Sequence, residues 1–480
     1  MTLKSGYINP DPIANPTVLG KQEVPIAPLS CWAVGVIGSV LTFPTQLDQE
    51  RLQKAVAKAA SYWPVVAGRY VKATVPGTEF ASPIPFDTQS VDAEYPYADR
   101  AVVQDDLGEY VTPLRDDFFV AGADAPLVTV RFTTLKTGSA LGVNWSHVLG
   151  DAAAFSRFLE DVSIFYNLPY TDLESDEVPT FQPHVRLPPA TDAIKEQFKI
   201  PILTRLPIGD VFKGYTDSVA QSQRFTVNLT PDDVAHIAAV RLPGDKVTDN
   251  DLVCAWWCSV LERAGQPLDW VVQTMNGEPA FPRNLPTLSA NVAQQRQIFI
   301  PPRGTIKGAQ SKPGTRVLQI ARAIRGGMHA LQNDPELTLG WLSNAAYEIG
   351  TAAHENTSFC LVPEASGVVL NSNWRYDWAV KFGQPSAAYH TGGSFPRILR
   401  VFRANPVEGQ SEEDRAVELA FRVPSGPAVE AVQKVIDDER ARWKAEGPVH
   451  EHEDEDEEPE VKSFSMHSTV AREPWGGYGN

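Results

Sequence analysis

Hydrophobic positions along the chain alternate between two spacings, one suited to strands and one to helices. The run "CWAVGVIGSVLTF", Cys31 to Phe43, is continuously apolar and rich in Val and Ile, which predicts a buried strand; it is too short to cross a bilayer, which takes roughly 20 residues. "LDQERLQKAVAKAASYWP" follows, with Leu52, Val56 and Ala59 on one helical face, Asp48 ahead of the first turn and Pro64 at the stop. "LVTVRFTTLKTGSALGVNWSH" reads as two apolar strands around a Lys-Thr-Gly-Ser turn, the second ending at His147. The spacing of Phe155, Phe158, Leu159, Val162 and Tyr166 then predicts a helix. His147 therefore stands where a strand gives way to a helix.

From Asp172 to about Phe212 the chain is polar and proline-rich with little periodicity, the pattern of a crossover between domains. A second alternating region begins at "SQRFTVNLTPDDVAHIAAV", where Thr230, Pro231 and Asp233 mark a helix start with a capping box. The same device recurs in "VTDNDLVCAWWCSVLER", with Thr248 three residues before Asp251. "EASGVVLNSNWR", "FPRILRVFR" and "AVELAFRVP" read as strands and "GPAVEAVQKVIDDERARW" as a last helix. Strands and helices alternate in both halves, so the expected fold class is α/β. The 480 residues suit two domains, 1–205 and 206–445, followed by an acidic tail, 446–480.

Charge narrows the function. The net charge of -17 disfavours nucleic acid, whose binding rests on neutralising phosphates. Eight acids against one lysine crowd "HEHEDEDEEPEVK", His450 to Lys462, where mutual repulsion predicts a solvated, disordered tail. The N-terminus lacks the charged start and apolar run of a secretory signal, so a soluble, cytoplasmic protein is expected. Cys254 and Cys258 lie four apart in an apolar helical pattern, which predicts core packing rather than a metal site.

Candidate chemistry centres on "NWSHVLGDAAAF". His147 and Asp151 are compatible with a catalytic pair, with half of a metal site, or with a histidine ahead of a helix capped by Asp151. An imidazole with a pKa near 6.5 suits proton transfer at neutral pH, and a carboxylate four residues on can orient it.

The segment "VNWSHVLGDAAAFSRFL" resembles the His-x-x-x-Asp signature of the BAHD acyltransferases, which move an acyl group from coenzyme A to a hydroxyl or amine. Other stretches resemble the family in the same order: Pro64 to Arg69, the helix of "VTDNDLVCAWWCSVLERA", "LPTLSANV" with Asn291, and "NSNWRYDWAVKFGQP". Two departures stand out. Ala152 replaces the usual glycine, and Lys381 stands where the second motif has its Asp, with Phe382 and Gly383 kept and Gln384-Pro385 following. In the family that motif is mainly a structural support. Ser146, in place of a second adjacent histidine, favours this group over the related condensation and chloramphenicol acetyltransferase groups.

The resemblance implies two chloramphenicol-acetyltransferase-like domains with a tunnel between them. It implies a monomer without a bound cofactor or metal, acyl-CoA as co-substrate and a small secondary metabolite as acceptor, acetylated on a hydroxyl. His147 would be the general base and Asp151 its partner, with Trp374 and Ser372 as oxyanion donors and Arg375, Lys381, Arg400 and Arg403 toward coenzyme A. Amine acylation, carrier-dependent condensation and a non-catalytic binding relative are the alternatives on the same fold.

Overall fold

The computed structural model describes residues 3–11, 23–25, 28–31, 35–71, 77–79, 83–97, 99–114, 125–168, 181–182, 187–198, 204–277, 287–288, 293–299, 314–360, 366–383, 388–407, 409–411 and 413–449. Asn291, Gln384, Pro385 and the tail beyond 449 lie outside them.

Two mixed sheets of six strands dominate. Their strands, in chain order, are β1 (Lys4–Ile8), β2 (Val36–Phe43), β3 (Ile84–Ser90), β4 (Val128–Thr134), β5 (Ser139–Ser146), β6 (Ser222–Leu229), β7 (Trp270–Asn276), β8 (Ala293–Phe299), β9 (Gly367–Ser372), β10 (Ala388–Thr391), β11 (Ile398–Arg403) and β12 (Val417–Pro424). The first sheet runs β1-β3-β4-β5-β2-β10 and the second β6-β12-β11-β9-β7-β8. In the second, β7, β9 and β11 are parallel neighbours, so their C-terminal ends lie along one edge.

The helices are α1 (Gln49–Tyr62), α2 (Ala152–Asn167), α3 (Asp192–Gln197), α4 (Ile208–Ala220), α5 (Pro231–Ala238), α6 (Asp249–Arg263), α7 (Thr315–Gln332), α8 (Pro335–His354) and α9 (Pro427–Glu446). α1 starts at Asp48, whose side chain accepts from Arg51 N, and buries Leu52, Val56 and Ala59 as its periodicity predicts. α2 buries Phe155, Phe158, Leu159, Val162 and Tyr166 with it over the first sheet. α5 and α6 begin in the two capping boxes read from Thr230 and Thr248. Cys254 and Cys258 are fully buried free thiols in the second core, and burial pushes Cys258 up to about 12. Thiols held protonated in this way are packing groups.

The segment from 172 to 212 is more regular than its composition predicts: α3 starts there under a Thr191 cap, and α4 begins at Ile208. α4 carries Ile208, Val211, Phe212, Tyr215 and Val219 at helical spacing, a local signal that the proline-rich reading of the segment passed over. Among the described residues no helix is long and apolar enough to cross a membrane.

One stretch of the C-terminal half belongs physically to the first core. Trp378, Val380, Phe382 and Tyr389 pack there, and β10 extends the first sheet against β2. Phe382 is fully buried and meets Phe43 and Tyr166 edge-on, with ring centroids 5.3 and 5.5 Å apart. Gly383 has φ +67°, and a Cβ there would stand 3.0 Å from Asn167 Oδ1. The retained Phe-Gly of the altered motif thus does structural work.

Two buried titratable groups hold the 99–105 loop to these strands. His390 Nδ1 lies 2.7 Å from Ala101 O, so it carries the proton, and Tyr95 donates its hydroxyl to Nε2 at 2.7 Å. Burial depresses His390 to about 4. Glu418 accepts from Val102 N and Val103 N and is pushed up to about 7 by burial. A histidine that resists protonation when folded opposes folding at acid pH, because the unfolded chain takes its proton first. The stability advantage of the wild type over His390→Asn should therefore be full above about pH 6.5 and shrink as pH falls toward 4. Urea unfolding of both proteins across that window would show it.

Candidate active site

β5 is buried along its whole length, and Gly142 lets it in: a Cβ there would stand 1.9 Å from Tyr110 O. The strand ends at Ser146, and His147–Leu149 forms a short 3-10 turn. The turn is held at both ends, since His147 N donates to Gly35 O at 2.9 Å and the indole of Trp145 donates to Gly150 O at 3.1 Å. Trp145 is fully buried among Trp63, Phe155 and Phe158, with ring centroids 5.4 to 6.4 Å away. Large aromatic surface buried at this point fixes where the backbone leaves the sheet. His147, half-buried, is left at the cavity wall.

Asp151 is the N-cap of α2: its Oδ1 accepts from Ala153 N at 3.0 Å and Ala154 N at 3.2 Å. It is buried and also lines the cavity. Ala152 in place of glycine is accommodated, since this position is helical and its φ is negative. Asp151→Asn keeps a capping oxygen whereas Asp151→Ala removes it, so Ala should cost about 1 kcal/mol of stability and Asn less. If the carboxylate charge also orients His147, both variants lose turnover. Thermal melts run beside activity assays separate the two roles.

The cavity, about 830 Å³, is bounded by both halves of the chain. His147 and Asp151 come from the end of β5 and the start of α2. Facing them are the C-terminal ends of the parallel strands: Gln273 to Gly277 at the end of β7, Asn371 to Tyr376 at the end of β9 and just beyond it, and Arg403 at the end of β11. Open α/β sheets bind ligands outside the carboxyl ends of their parallel strands, and the second sheet offers that edge. The N-terminus of α6 adds Thr248, Asp249 and Asn250, and α7 adds Arg325 and Met328.

Of the residues singled out in the sequence, His147, Asp151, Ser372, Trp374, Arg375 and Arg403 meet in this cavity. Among the described residues the lining does not include Lys381 or Arg400. Lys381 is exposed, and its carbonyl accepts from Ser163 Oγ and Asn167 Nδ2. Arg400 donates to the Gly392 and Gly393 carbonyls and lies over Phe402. Arg375 and Arg403 are exposed at the wall, and Arg375 donates to Tyr376 Oη at 2.7 Å.

Ser372 donates its hydroxyl to Asn250 Oδ1 at 2.6 Å and accepts from Trp374 N at 3.4 Å. Trp374 is half-buried, packs on the second core and lines the cavity; among the described residues no group accepts from its indole N–H. Arg325 is committed to Asp251 and Thr248 Oγ1, which locks the start of α6. Sequence reasoning missed Asn250, Gln273 and Arg325. Nothing in one chain marks them, because their roles come from elements far apart in sequence. Among the described residues no cluster of three or more His, Cys, Asp or Glu side chains is placed to hold a metal.

No family model matches the chain, and no curated protein matches it by sequence. Solved structures do. Vinorine synthase aligns over 91% of this chain and 98% of its own at 15% identity, with a TM-score of 0.57. TRI101 of F. graminearum, complexed with coenzyme A and deoxynivalenol, aligns over 88% and 98% at 14% identity, TM-score 0.56. The first condensation domain of the calcium-dependent antibiotic synthetase aligns over 90% and 98% at 13% identity, TM-score 0.50. At such identities the likeness speaks to architecture: the chain has the α/β, chloramphenicol-acetyltransferase-like fold that these proteins share, nearly from end to end.

Proposed function

We propose that this chain is a BAHD-type acyltransferase that carries an acyl group, acetyl foremost, from acyl-CoA to a hydroxyl of a small secondary metabolite. The observation that carries the reading is His147, presented at the end of β5 in one cavity with Trp374 and Ser372. The likeness to TRI101, which was solved in complex with coenzyme A and deoxynivalenol, supports it.

The chemistry follows from the side chains. An alcohol is too weak an acid to ionise in advance, so His147 takes its proton as the oxygen attacks the thioester carbonyl. The tetrahedral intermediate then expels the thiolate, the carbon–sulfur bond breaks, and the imidazolium returns the proton to sulfur. No acyl-enzyme is required, so both substrates are bound together. The oxyanion needs a donor, and we assign it first to the Trp374 indole N–H, since the Ser372 hydroxyl must first turn away from Asn250. A donor of this kind contributes on the order of 3 kcal/mol in the transition state. Asp151 acts through the start of α2, which it caps next to the His147 turn, as a positioning residue. Arg375 and Arg403 offer positive charge to the coenzyme A phosphates on an otherwise acidic protein. We place the enzyme in the cytoplasm as a monomer, with the catalytic histidine in the 1–205 domain and the oxyanion donors in the 206–445 domain.

Incubation of a metabolite extract with the protein and isotope-labelled acyl-CoAs tests the reading by mass spectrometry. A labelled product that needs the protein supports it, and release of the label by alkaline hydroxylamine distinguishes an ester from an amide. Coenzyme A binding with no labelled product from any extract would favour a non-catalytic relative.

A further inference from the structure

Trp374 stands on a short loop, two residues beyond Ser372, the last residue of β9. The Ser372 hydroxyl donates to Asn250 Oδ1 at 2.6 Å, and the same oxygen accepts from Trp374 N at 3.4 Å. A hydroxyl has one proton to give and lone pairs to receive with, so it serves both bonds at once. Together they join the first turn of α6 to the backbone of Trp374.

The far end of this relay is a firm anchor. α6 is buried without a break from Asp251 to Leu261, and its first turn is closed by the Thr248 capping box. Arg325 of α7 donates to Asp251 Oδ2 at 2.7 Å and to Thr248 Oγ1 at 2.8 Å. Asn250 stands between these two residues, half-buried at the cavity wall. On its other side the loop is tied to the sheet by backbone alone: Asn373 N donates to Val401 O at 2.8 Å, and Tyr376 N donates to Asn373 O at 3.1 Å. The hydrogen-bonded tie to α6 runs through two side chains, Asn250 and Ser372.

From this geometry we propose that Asn250 is a positioning residue: through Ser372 it fixes the loop from which the Trp374 indole N–H stabilises the oxyanion. The inference rests on the acyltransferase reading, with Trp374 as the donor. An oxyanion donor is effective when it is in place before charge develops, so that nothing has to reorganise as the thioester carbonyl is attacked. A displacement of about 1 Å in such a group can cost on the order of 100-fold in rate. Ser372 is then the link in the relay rather than a second donor.

Asn250→Ala, Ser372→Ala and Trp374→Phe, singly and in pairs, test this by steady-state kinetics with the acceptor recovered by the labelled-acyl screen, beside calorimetric titration with coenzyme A and thermal melts. Asn250→Ala should lower kcat about tenfold or more, with coenzyme A affinity and the acceptor KM within about twofold of wild type. Ser372→Ala should match it, and the two together should fall no further, because either change breaks the same relay. In the Trp374→Phe background no indole is left to position, so adding Asn250→Ala should leave kcat within about twofold. Any change in melting temperature carries over to that background, so a purely structural role does not produce this pattern. Asn250→Ala with kcat within twofold of wild type would overturn the proposal. An equal fall in kcat with and without the Trp374 indole would overturn it too, since Asn250 would then act independently of the donor. A loss in Ser372→Ala about tenfold beyond that of Asn250→Ala would make Ser372 itself the donor and overturn the relay. A wild type that neither binds coenzyme A nor transfers label overturns the acyltransferase reading and this inference with it. An active wild type matched by its Asn250→Ala variant overturns this inference alone.

Discussion

Replacing His147 with alanine should lower acyl transfer by about 10²- to 10⁴-fold, the range a positioned general base contributes. The fold should survive. His147 is half-buried at the cavity wall, and its backbone bond to Gly35 O remains available to alanine. Coenzyme A affinity should hold as well, because the histidine acts on the proton in flight rather than on the bound thioester. The expected signature is a fall in kcat with an unaltered melting temperature and coenzyme A dissociation constant. A variant that keeps most of its turnover would remove His147 from the mechanism whatever its place in the cavity.

The second large effect concerns the residue that sets the turn. Trp145→Ala empties a fully buried site among Trp63, Phe155 and Phe158, and should cost about 3–5 kcal/mol. Trp145→Phe retains much of the ring packing but leaves Gly150 O without the indole donor it now has. That loss should cost about 1–3 kcal/mol. Because the same bond braces the stretch between His147 and Asp151, the Phe variant should lose activity out of proportion to its stability. Urea unfolding and initial rates on the two variants measure both parts. Full activity in Trp145→Phe would show that the turn is held by its other contacts.

How much of this was legible in the chain depends on how local each signal is. The strand ending at His147, the faces of α1 and α2 and the caps at Thr230 and Thr248 all rest on residues within one or two turns of each other, and the structure reproduces them. α8 had a local signal too, Asp334 capping ahead of Pro335, which sequence reasoning passed over. By contrast, β10 joins the first sheet from nearly 350 residues downstream of its partner, judged by the separation of Thr42 and Ala388. No periodicity reports such a pairing. The site divides in the same way. His147 and Asp151 were visible as a spaced pair, and Trp374, Ser372, Arg375 and Arg403 only through resemblance. Asn250 matters because Ser372, 122 residues further along the chain, donates to it. Lys381 and Arg400 show the reverse: basic residues near the altered motif that the fold turns to its surface and to the Gly392 carbonyl.

The central claim is that the thioester reacts in the cavity between the two sheets, beside His147. A crystal structure with coenzyme A bound is the most direct measurement. The account predicts the thiol sulfur inside that cavity, within hydrogen-bond reach of the His147 imidazole and near the Trp374 indole. Coenzyme A seated elsewhere on the protein, with its sulfur away from His147, would contradict it.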